Sequence, residues 1–267
     1  MSGHSKWHNI QAKKGKTDAA RARVFTKLGK ELMVAAKDNP NIDANSRLKD
    51  VVTKAKAANM PMDNIMRAIK KAAGELSGAS YEEITYEGYG PGGPAFIVEA
   101  LTDNKNRTAA NVRHAFDKVG GNLGTPGSVS FQFNKKGQFI LEVTDEIDLD
   151  ELELAAIEAG AENIIRDEET VEILTEPEDY EAVSEALEQA GYAFAESGIK
   201  MVPNLYTEVD METAVKIQKL IDILEEDDDV NDIYHNTDFP DEFEGESFEN
   251  QMKKDPDCQG IRDLFLI

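Results

Sequence analysis

Charge is divided unevenly along this 267-residue chain, and the division restricts how the chain can fold. Residues 1–75 hold 16 basic and 7 acidic residues, whereas residues 76–267 hold 13 basic and 45 acidic residues. Because charged side chains lie on surfaces, the division predicts a basic first domain and an acidic remainder. A polyanion would be repelled by most of a protein of formal charge −23, so we expect contact with one to be confined to the basic end.

The first 37 residues contain most of that positive charge. Apolar side chains recur there at helical spacing, which predicts a helix capped by Thr17 or Asp18 and ending near Lys37. Its apolar face is formed by Phe25, Leu28, Leu32 and Ala35. The opposite face forms a ladder of cations, namely Arg23, Lys27 and Lys30, which Lys16 joins if the helix starts early.

Upstream of this helix, the polar, glycine-containing segment Gly3–Lys16 predicts a flexible basic arm with one aromatic side chain. Cations on such an arm neutralise phosphates, and an indole stacks on a base. We therefore predict a nucleic-acid-binding surface on the arm and helix, formed by Lys6, Trp7, Lys13, Lys14, Lys16, Arg23, Lys27 and Lys30. The alternative is a solvated charged helix with a frayed end, in which Trp7 only anchors the arm.

Helical periodicity continues to about residue 75. A second helix is predicted over residues 44–58 and a third from Pro61, where proline suits the first helical turn. The third helix adds the cations Arg67, Lys70 and Lys71, and a small-residue linker follows over residues 74–80. Residues 1–75 are thus predicted to form a basic helical domain.

Beyond the linker the pattern predicts an α+β architecture. Two strands (residues 81–87 and 95–101), a helix (104–119) and a strand (128–133) precede a βαββαβ order over residues 134–203, which is typical of ferredoxin-like modules. A final βαβ set ends near residue 235. We predict three domains, with residues 134–203 inserted in a discontinuous middle domain (81–133 and 204–237), and an acidic irregular tail (238–267).

The loop Gly88–Gly93 is rich in glycine but does not fit a phosphate-binding loop. It opens no helix, and no Lys-Ser or Lys-Thr pair follows it, so a tight hairpin between two strands is the favoured interpretation. The five consecutive acids from Glu225 to Asp229 are expected to form a solvated helix end and turn, although acids at a helix C-terminus are unfavourable.

The segment Thr102–Thr108 predicts a second contact surface at the start of a helix. Thr102 or Asp103 is expected to cap the helix, yet Lys105 and Arg107 then occupy its first turn, where the macrodipole disfavours cations. Free backbone amides at that end favour an anion. We predict a secondary nucleic-acid surface formed by Lys105, Arg107 and Arg113, against the alternative of a solvated helix face.

Composition limits the remaining possibilities. No apolar run approaches the roughly 20 residues that a membrane span requires, and the start lacks a signal-peptide core. The single cysteine, Cys258, fits a reducing compartment, so we expect a cytoplasmic protein without membrane contact. His4 and His8 are four residues apart, a spacing that suits a metal only on a helix. No carboxylate or cysteine nearby completes a ligand set, so no metal site is predicted, and neither a cofactor nor a catalytic residue is predicted.

Several of these motifs together resemble the YebC/PmpR family. They comprise the opening Gly3-His4-Ser5-Lys6-Trp7, the glycine loop, Asp103–Thr108, Val112-Arg113-His114, Gly120–Gly124 and Tyr234-His235-Asn236. The resemblance extends over about residues 1–237. It implies a three-domain fold with one helical and two α+β domains, no enzymatic activity, and a relative in the mitochondrial translational activator of cytochrome c oxidase subunit I.

The resemblance implies a transcriptional regulator that binds DNA, or a factor that binds ribosomal RNA on the ribosome and relieves stalling at proline-rich stretches. Composition does not separate the two polymers. A protein-interaction adaptor, whose acidic body binds a basic partner, is a second alternative. An enzyme that uses the glycine loop and His114 is a third, and it requires a pocket beside them.

Overall fold

The computed structural model describes residues 18–73, 81–144, 147–167, 169–240 and 242–243. Among the helices in these ranges, none has both the length and the apolar character that crossing a bilayer demands. The fold divides into two compact units. Residues 130–206 form one of them, and the described residues before and after that stretch form the other.

The basic domain contains three helices, which belong to the second of these units. Helix α1 spans Asp18–Ala36, α2 spans Ser46–Ala57 and α3 spans Met62–Ala73, with a 3-10 turn at Ile42–Ala44. Helix α2 begins where the Asn45 side chain accepts a hydrogen bond from the amide of Leu48 at 3.1 Å. The three predicted helices are therefore confirmed, with boundaries that differ by a few residues.

A single apolar core joins these three helices. Leu28 and Leu32 of α1 are buried, as the spacing of the apolar residues predicts. They pack in one cluster with residues from the other two helices, including Leu48, Val52, Ile65 and Ile69. Because the apolar face of each helix points into this core, the charged residues lie on the outside.

The middle domain is built around a four-stranded antiparallel sheet of strand order β3-β1-β2-β9. Its strands are β1 (Glu82–Tyr89), β2 (Ala95–Thr102), β3 (Asn122–Leu123) and β9 (Val230–His235), and its helices are α4 (Lys105–Val119) and α7 (Met211–Glu226). Phe96 of β2 and Phe116 of α4 meet edge to face, with ring centroids 5.9 Å apart, so the sheet and helix share an apolar core.

The glycine loop forms the hairpin turn between β1 and β2, as predicted. The amide of Gly90 donates to the carbonyl of Pro94 at 2.8 Å, which closes the turn. Gly92 and Gly93 have φ angles of 80° and 99°, which lie in a region of backbone conformation that residues other than glycine rarely adopt. The glycines therefore serve the geometry of the turn.

Residues 130–206 form the inserted α+β module. Its strands are β4 (Phe133–Glu142), β5 (Asn163–Arg166), β6 (Thr170–Thr175) and β7 (Glu196–Pro203), and its helices are α5 (Leu149–Ala159) and α6 (Tyr180–Gln189). The sheet order β5-β6-β4-β7 with antiparallel pairing is the ferredoxin-like order. The middle sheet also has four antiparallel strands and two helices, but there the β1–β2 hairpin lies at the centre.

One strand prediction is wrong. The sequence predicts a separate strand over residues 128–133, but Ser130–Gln132 is a 3-10 turn and β4 runs without a break from Phe133 to Glu142. Gly137, which resembles a turn signal, lies within the strand and pairs with Thr175 and Ile199. A Cβ there would lie 2.2 Å from the Thr175 hydroxyl, so close packing explains this glycine.

The start of the predicted tail is ordered and packed. Strand β10 (Thr237–Asp238) pairs in parallel with β8 (Thr207–Glu208). Phe239 and Phe243 are both buried, and their rings stack with centroids 5.0 Å apart. The irregular region that the sequence predicts from residue 238 therefore does not begin there, because these two rings are removed from water.

Candidate nucleic-acid interface

Five residues of the predicted surface, all on the arm, lie outside the described residues, namely Lys6, Trp7, Lys13, Lys14 and Lys16. On helix α1, Arg23 is half-buried. No acidic side chain within the described ranges forms an ion pair with it.

Lys27 and Lys30 do not form the open ladder that the sequence predicts. The ammonium of Lys27 donates to the carbonyl of Glu225 at 2.9 Å, and that of Lys30 donates to the carbonyl of Asp228 at 2.8 Å. Burial lowers the pKa of Lys27, although the charges of Glu225 and Asp232 act in the opposite direction. Helical spacing places both lysines opposite the core of their own domain, but it gives no sign of the acidic turn that covers them.

Asp229 is the centre of this contact. Its Oδ1 accepts a hydrogen bond from the Lys30 ammonium at 2.8 Å. Its Oδ2 accepts from Arg107 at 2.5 Å, from Thr108 at 2.9 Å and from Thr102 at 3.1 Å. We call these five residues the Asp229 cluster. It joins one cation from α1 and one from α4 through a single buried carboxylate.

The electrostatics of the Asp229 cluster favour the charged form of the carboxyl group. Burial alone would raise the pKa of Asp229, because it removes a charge from water. The hydrogen bonds from Arg107, Lys30 and Thr108 outweigh that effect and lower the pKa to about 2. The same hydrogen bond to Asp229, together with one to Asp103, raises the pKa of Arg107. The carboxylate of Asp229 therefore stays charged at neutral pH and remains paired with Lys30 and Arg107.

The acidic run Glu225–Asp229 forms a helix end and turn, as predicted, but it is not fully solvated. Asp229 is buried, and the Asp227 carboxylate accepts a hydrogen bond from Asn111 at 2.9 Å. The run lies at the C-terminal end of α7, where acids are unfavourable unless cations offset them. Lys27, Lys30 and Arg107 provide that offset, and the unfavourable placement was the one signal in the sequence of such a partner.

A second set of polar contacts supports the same docking of the helical domain. Lys54 of α2 forms ion pairs with Glu31 at 3.4 Å and with Asp232 of β9 at 3.5 Å. Asn231 donates to Glu31 at 2.8 Å. The basic domain is thus held against the acidic end of α7 and the start of β9 by contacts at several points.

Two of the three cations predicted to form a secondary surface on α4 are paired with acidic side chains of this chain. Asn104 caps the helix by accepting from the amide of Arg107 at 3.1 Å, so the cap is one or two residues later than predicted. Lys105 forms an ion pair with Glu82. Arg107 is held by Asp103 and Asp229, and Arg113 is exposed with no ion pair to any residue that the structure describes.

An open cleft of about 650 Å³ adjoins the Asp229 cluster. Its wall includes Lys30, Arg107, His114 and Asp229, together with Tyr81. The glycine loop is not part of this wall, so the structure does not bring Gly88–Gly93 and His114 together around the cleft. Within the described ranges, no three His, Cys, Asp or Glu side chains are grouped so that they could hold a metal ion.

Open positive charge lies elsewhere on the helical domain. Arg67, Lys70 and Lys71 of α3 are exposed at helical spacing on the side opposite the buried Ile65 and Ile69. No acidic side chain within the described ranges pairs with these cations. The same holds for three further exposed lysines of this domain, namely Lys37, Lys49 and Lys56.

The architecture and charge distribution define a class of protein. It is an α+β protein that joins a cationic three-helix domain to a four-stranded α+β domain and an acidic ferredoxin-like module. Comparison with known proteins assigns this class to a family. The model of the TACO1/YebC N-terminal domain matches residues 5–75, and that of the TACO1/YebC second and third domains matches residues 81–237.

The chain therefore belongs to the TACO1/YebC family. It is 63% identical over 246 residues to a "probable transcriptional regulatory protein" of Clostridium novyi, covering 92% of this chain and all of that protein. A protein of the same description from Hathewaya histolytica is 59% identical over 245 residues, covering 91% of this chain and all of that protein. A conserved hypothetical protein from Aquifex aeolicus has a similar solved structure, with a TM-score of 0.78 and 46% identity over 86% of this chain and 95% of that one.

Proposed function

We propose that this chain is a non-enzymatic, cytoplasmic regulator of gene expression that binds nucleic acid through its helical domain. One observation carries the proposal: the exposed outer face of α3 presents Arg67, Lys70 and Lys71 without an acidic partner in the described part of the chain. Unpaired cations at adjacent positions on a helix attract a phosphate backbone, and binding releases the counterions of that backbone.

The proposal differs in its residues from the sequence-based prediction. Arg23 and the predicted cations of the arm remain proposed contacts, whereas Lys27 and Lys30 bind the acidic end of α7 in this structure. We assign these two lysines to docking of the helical domain. On α4, Lys105 and Arg107 form ion pairs with acidic side chains. Arg113 forms none with the described residues, so it remains a proposed secondary contact.

The proposed polymer is DNA, and the names of the relatives as transcriptional regulators support that choice. Structured ribosomal RNA is the alternative. The cations of α3 would bind the backbone of either polymer, and phosphate contacts carry little sequence information. We therefore expect weak sequence preference on DNA, and recognition of shape if the target is RNA.

Charge reversal on α3 tests the proposal. We expect the double variant Lys70→Glu, Lys71→Glu to bind a duplex DNA fragment at least tenfold more weakly than the wild type at about 0.1 M salt, because two phosphate contacts become repulsive. The matched control is Lys118→Glu, Lys135→Glu, which changes net charge by the same amount at exposed lysines of the other domains. Fluorescence anisotropy with a labelled duplex and with a labelled ribosomal RNA fragment gives both affinities.

Equal losses in the α3 variant and the control would contradict the proposal, because they would show a general charge effect. Tighter binding of the RNA fragment than of the duplex at the same salt concentration would support the translation alternative. Binding of neither polymer by the wild type would reject nucleic acid as the partner and favour the protein-interaction adaptor.

A further inference from the structure

The two helices of the inserted module form a strongly acidic outer layer. Residues 130–206 hold 20 acidic and 4 basic residues. Neither α5 nor α6 contains a basic residue. Arg166 pairs with Asp150 and Glu153 of α5. Five further exposed acids on these helices have no cationic partner among the described residues, namely Glu151, Glu158, Glu181, Glu185 and Glu188.

Helix stability does not explain this distribution. Glu158 lies in the last turn of α5, and Glu188 lies in the last turn of α6, with Glu185 directly before that turn. Acids at those positions oppose the helix macrodipole by a few tenths of a kcal/mol each, and clustered like charges repel one another. The surface therefore carries an electrostatic cost that a partner of opposite charge would remove.

Two large apolar side chains lie within this acidic surface. Leu154 and Ile157 of α5 are each 59% exposed, although Leu152 and Ala156 on the other face of the helix are fully buried. A spacing of three residues places the two side chains on adjacent turns of one face. Asp150 and Glu158 lie within one turn of them on the same side of the helix.

We propose that the exposed face of α5, with the neighbouring acids of α6, is a docking surface for a basic polypeptide that carries an apolar anchor. Leu154 and Ile157 provide an apolar centre, and the surrounding carboxylates provide a rim that attracts lysine and arginine. This arrangement matches the general anatomy of protein interfaces, in which a few apolar contacts anchor and rim charges steer. The same carboxylates repel nucleic acid, so the partner is a protein.

This surface is independent of the proposed nucleic-acid contact, because it lies on the inserted module and α3 lies on the helical domain. Loss of one activity therefore leaves the other measurable in the full-length protein.

A designed peptide tests the docking surface. The probe is a 20-residue helical peptide with leucines on one face and lysines on the other, and its affinity for the full-length protein is measured by fluorescence anisotropy. We expect the double variant Leu154→Ser, Ile157→Ser to weaken binding at least tenfold, since it removes the apolar centre. The matched control is Ile199→Ser, which removes another exposed apolar side chain from the same module and is expected to leave binding unchanged.

The rim is tested in the same assay. Glu151→Gln, Glu158→Gln is expected to weaken binding and to reduce its dependence on salt, whereas a peptide with glutamates in place of lysines is expected not to bind. Equal peptide affinity for the wild type and for Leu154→Ser, Ile157→Ser would overturn the proposal. Competition by duplex DNA or RNA for this face, detected as displacement of the peptide, would also overturn it. Circular dichroism confirms that the variants are folded, which the exposure of all substituted side chains favours.

Discussion

At the scale of single residues, the carboxylate of Asp229 holds cations from two domains, namely Lys30 and Arg107. Its side chain is 6% exposed and that of Lys30 is 13% exposed, so little water is available to replace either partner. Removing one partner of a buried ion pair leaves the other charge uncompensated.

We therefore expect Asp229→Asn to lower the free energy of unfolding by about 3 kcal/mol, at the lower end of the usual range because Arg107 retains access to water. Urea denaturation gives this value. Asp228→Asn is the matched control, because Asp228 is exposed and contacts Lys30 through its backbone carbonyl. Losses of similar size in the two variants would show that the carboxylate of Asp229 has no special role.

The lowered pKa of Asp229 predicts how its contribution depends on pH. The folded protein holds this carboxyl at a pKa of about 2, below the value of about 3.9 in an unfolded chain. Its contribution is therefore complete above about pH 5 and is lost as the pH falls from there toward 2. The difference in unfolding free energy between the wild type and Asp229→Asn should narrow over that interval, and a difference that stays constant down to pH 2 would contradict the assignment.

At the scale of structural elements, the β1–β2 hairpin shows how closely the turn approaches α7. A Cβ at Gly92 would lie 2.7 Å from the Cγ2 methyl of Thr213, whereas a Cβ at Gly93 would meet nothing within 4 Å. Both residues have positive φ angles, so alanine introduces backbone strain at each position. Only Gly92→Ala adds a steric clash.

We expect Gly92→Ala to be more destabilising than Gly93→Ala, and we expect Thr213→Ser to recover part of the difference, because serine lacks the Cγ2 methyl. A double-mutant cycle on thermal or urea unfolding measures the coupling, which should be about 1 kcal/mol between residues in contact. Additive effects of Gly92→Ala and Thr213→Ser on the free energy of unfolding would show that the residue at position 92 has no steric contact with Thr213.

Most elements could be predicted from sequence because their signals are local. The apolar spacing of Leu28 and Leu32 marks the buried face of α1, and the glycines of the hairpin mark a turn. The full length of strand β4 was harder to predict, because glycine is common in turns and the close approach of Gly137 to Thr175 is not visible in the sequence. That approach depends on strand pairing, which is a property of the tertiary fold.

At the scale of the whole molecule, charge segregation was readable from sequence but the pairing of charges was not. The sequence separates a basic domain from an acidic remainder. It does not show that Lys27 and Lys30 contact residues almost 200 positions away, whereas the cations of α3 remain open. Long-range ion pairs leave no periodic pattern in a sequence. The contacts of Lys27 and Lys30 with the acidic end of α7 could therefore not be predicted.

We propose above all that the open cations of the helical domain bind a nucleic-acid backbone. The most direct test is the dependence of affinity on salt for the wild type and for the triple variant Arg67→Glu, Lys70→Glu, Lys71→Glu. Each lost phosphate contact should reduce the slope of log affinity against log salt by about 0.9 on duplex DNA, so we predict a decrease of roughly 2 to 3. An unchanged slope and affinity in the triple variant would contradict the claim.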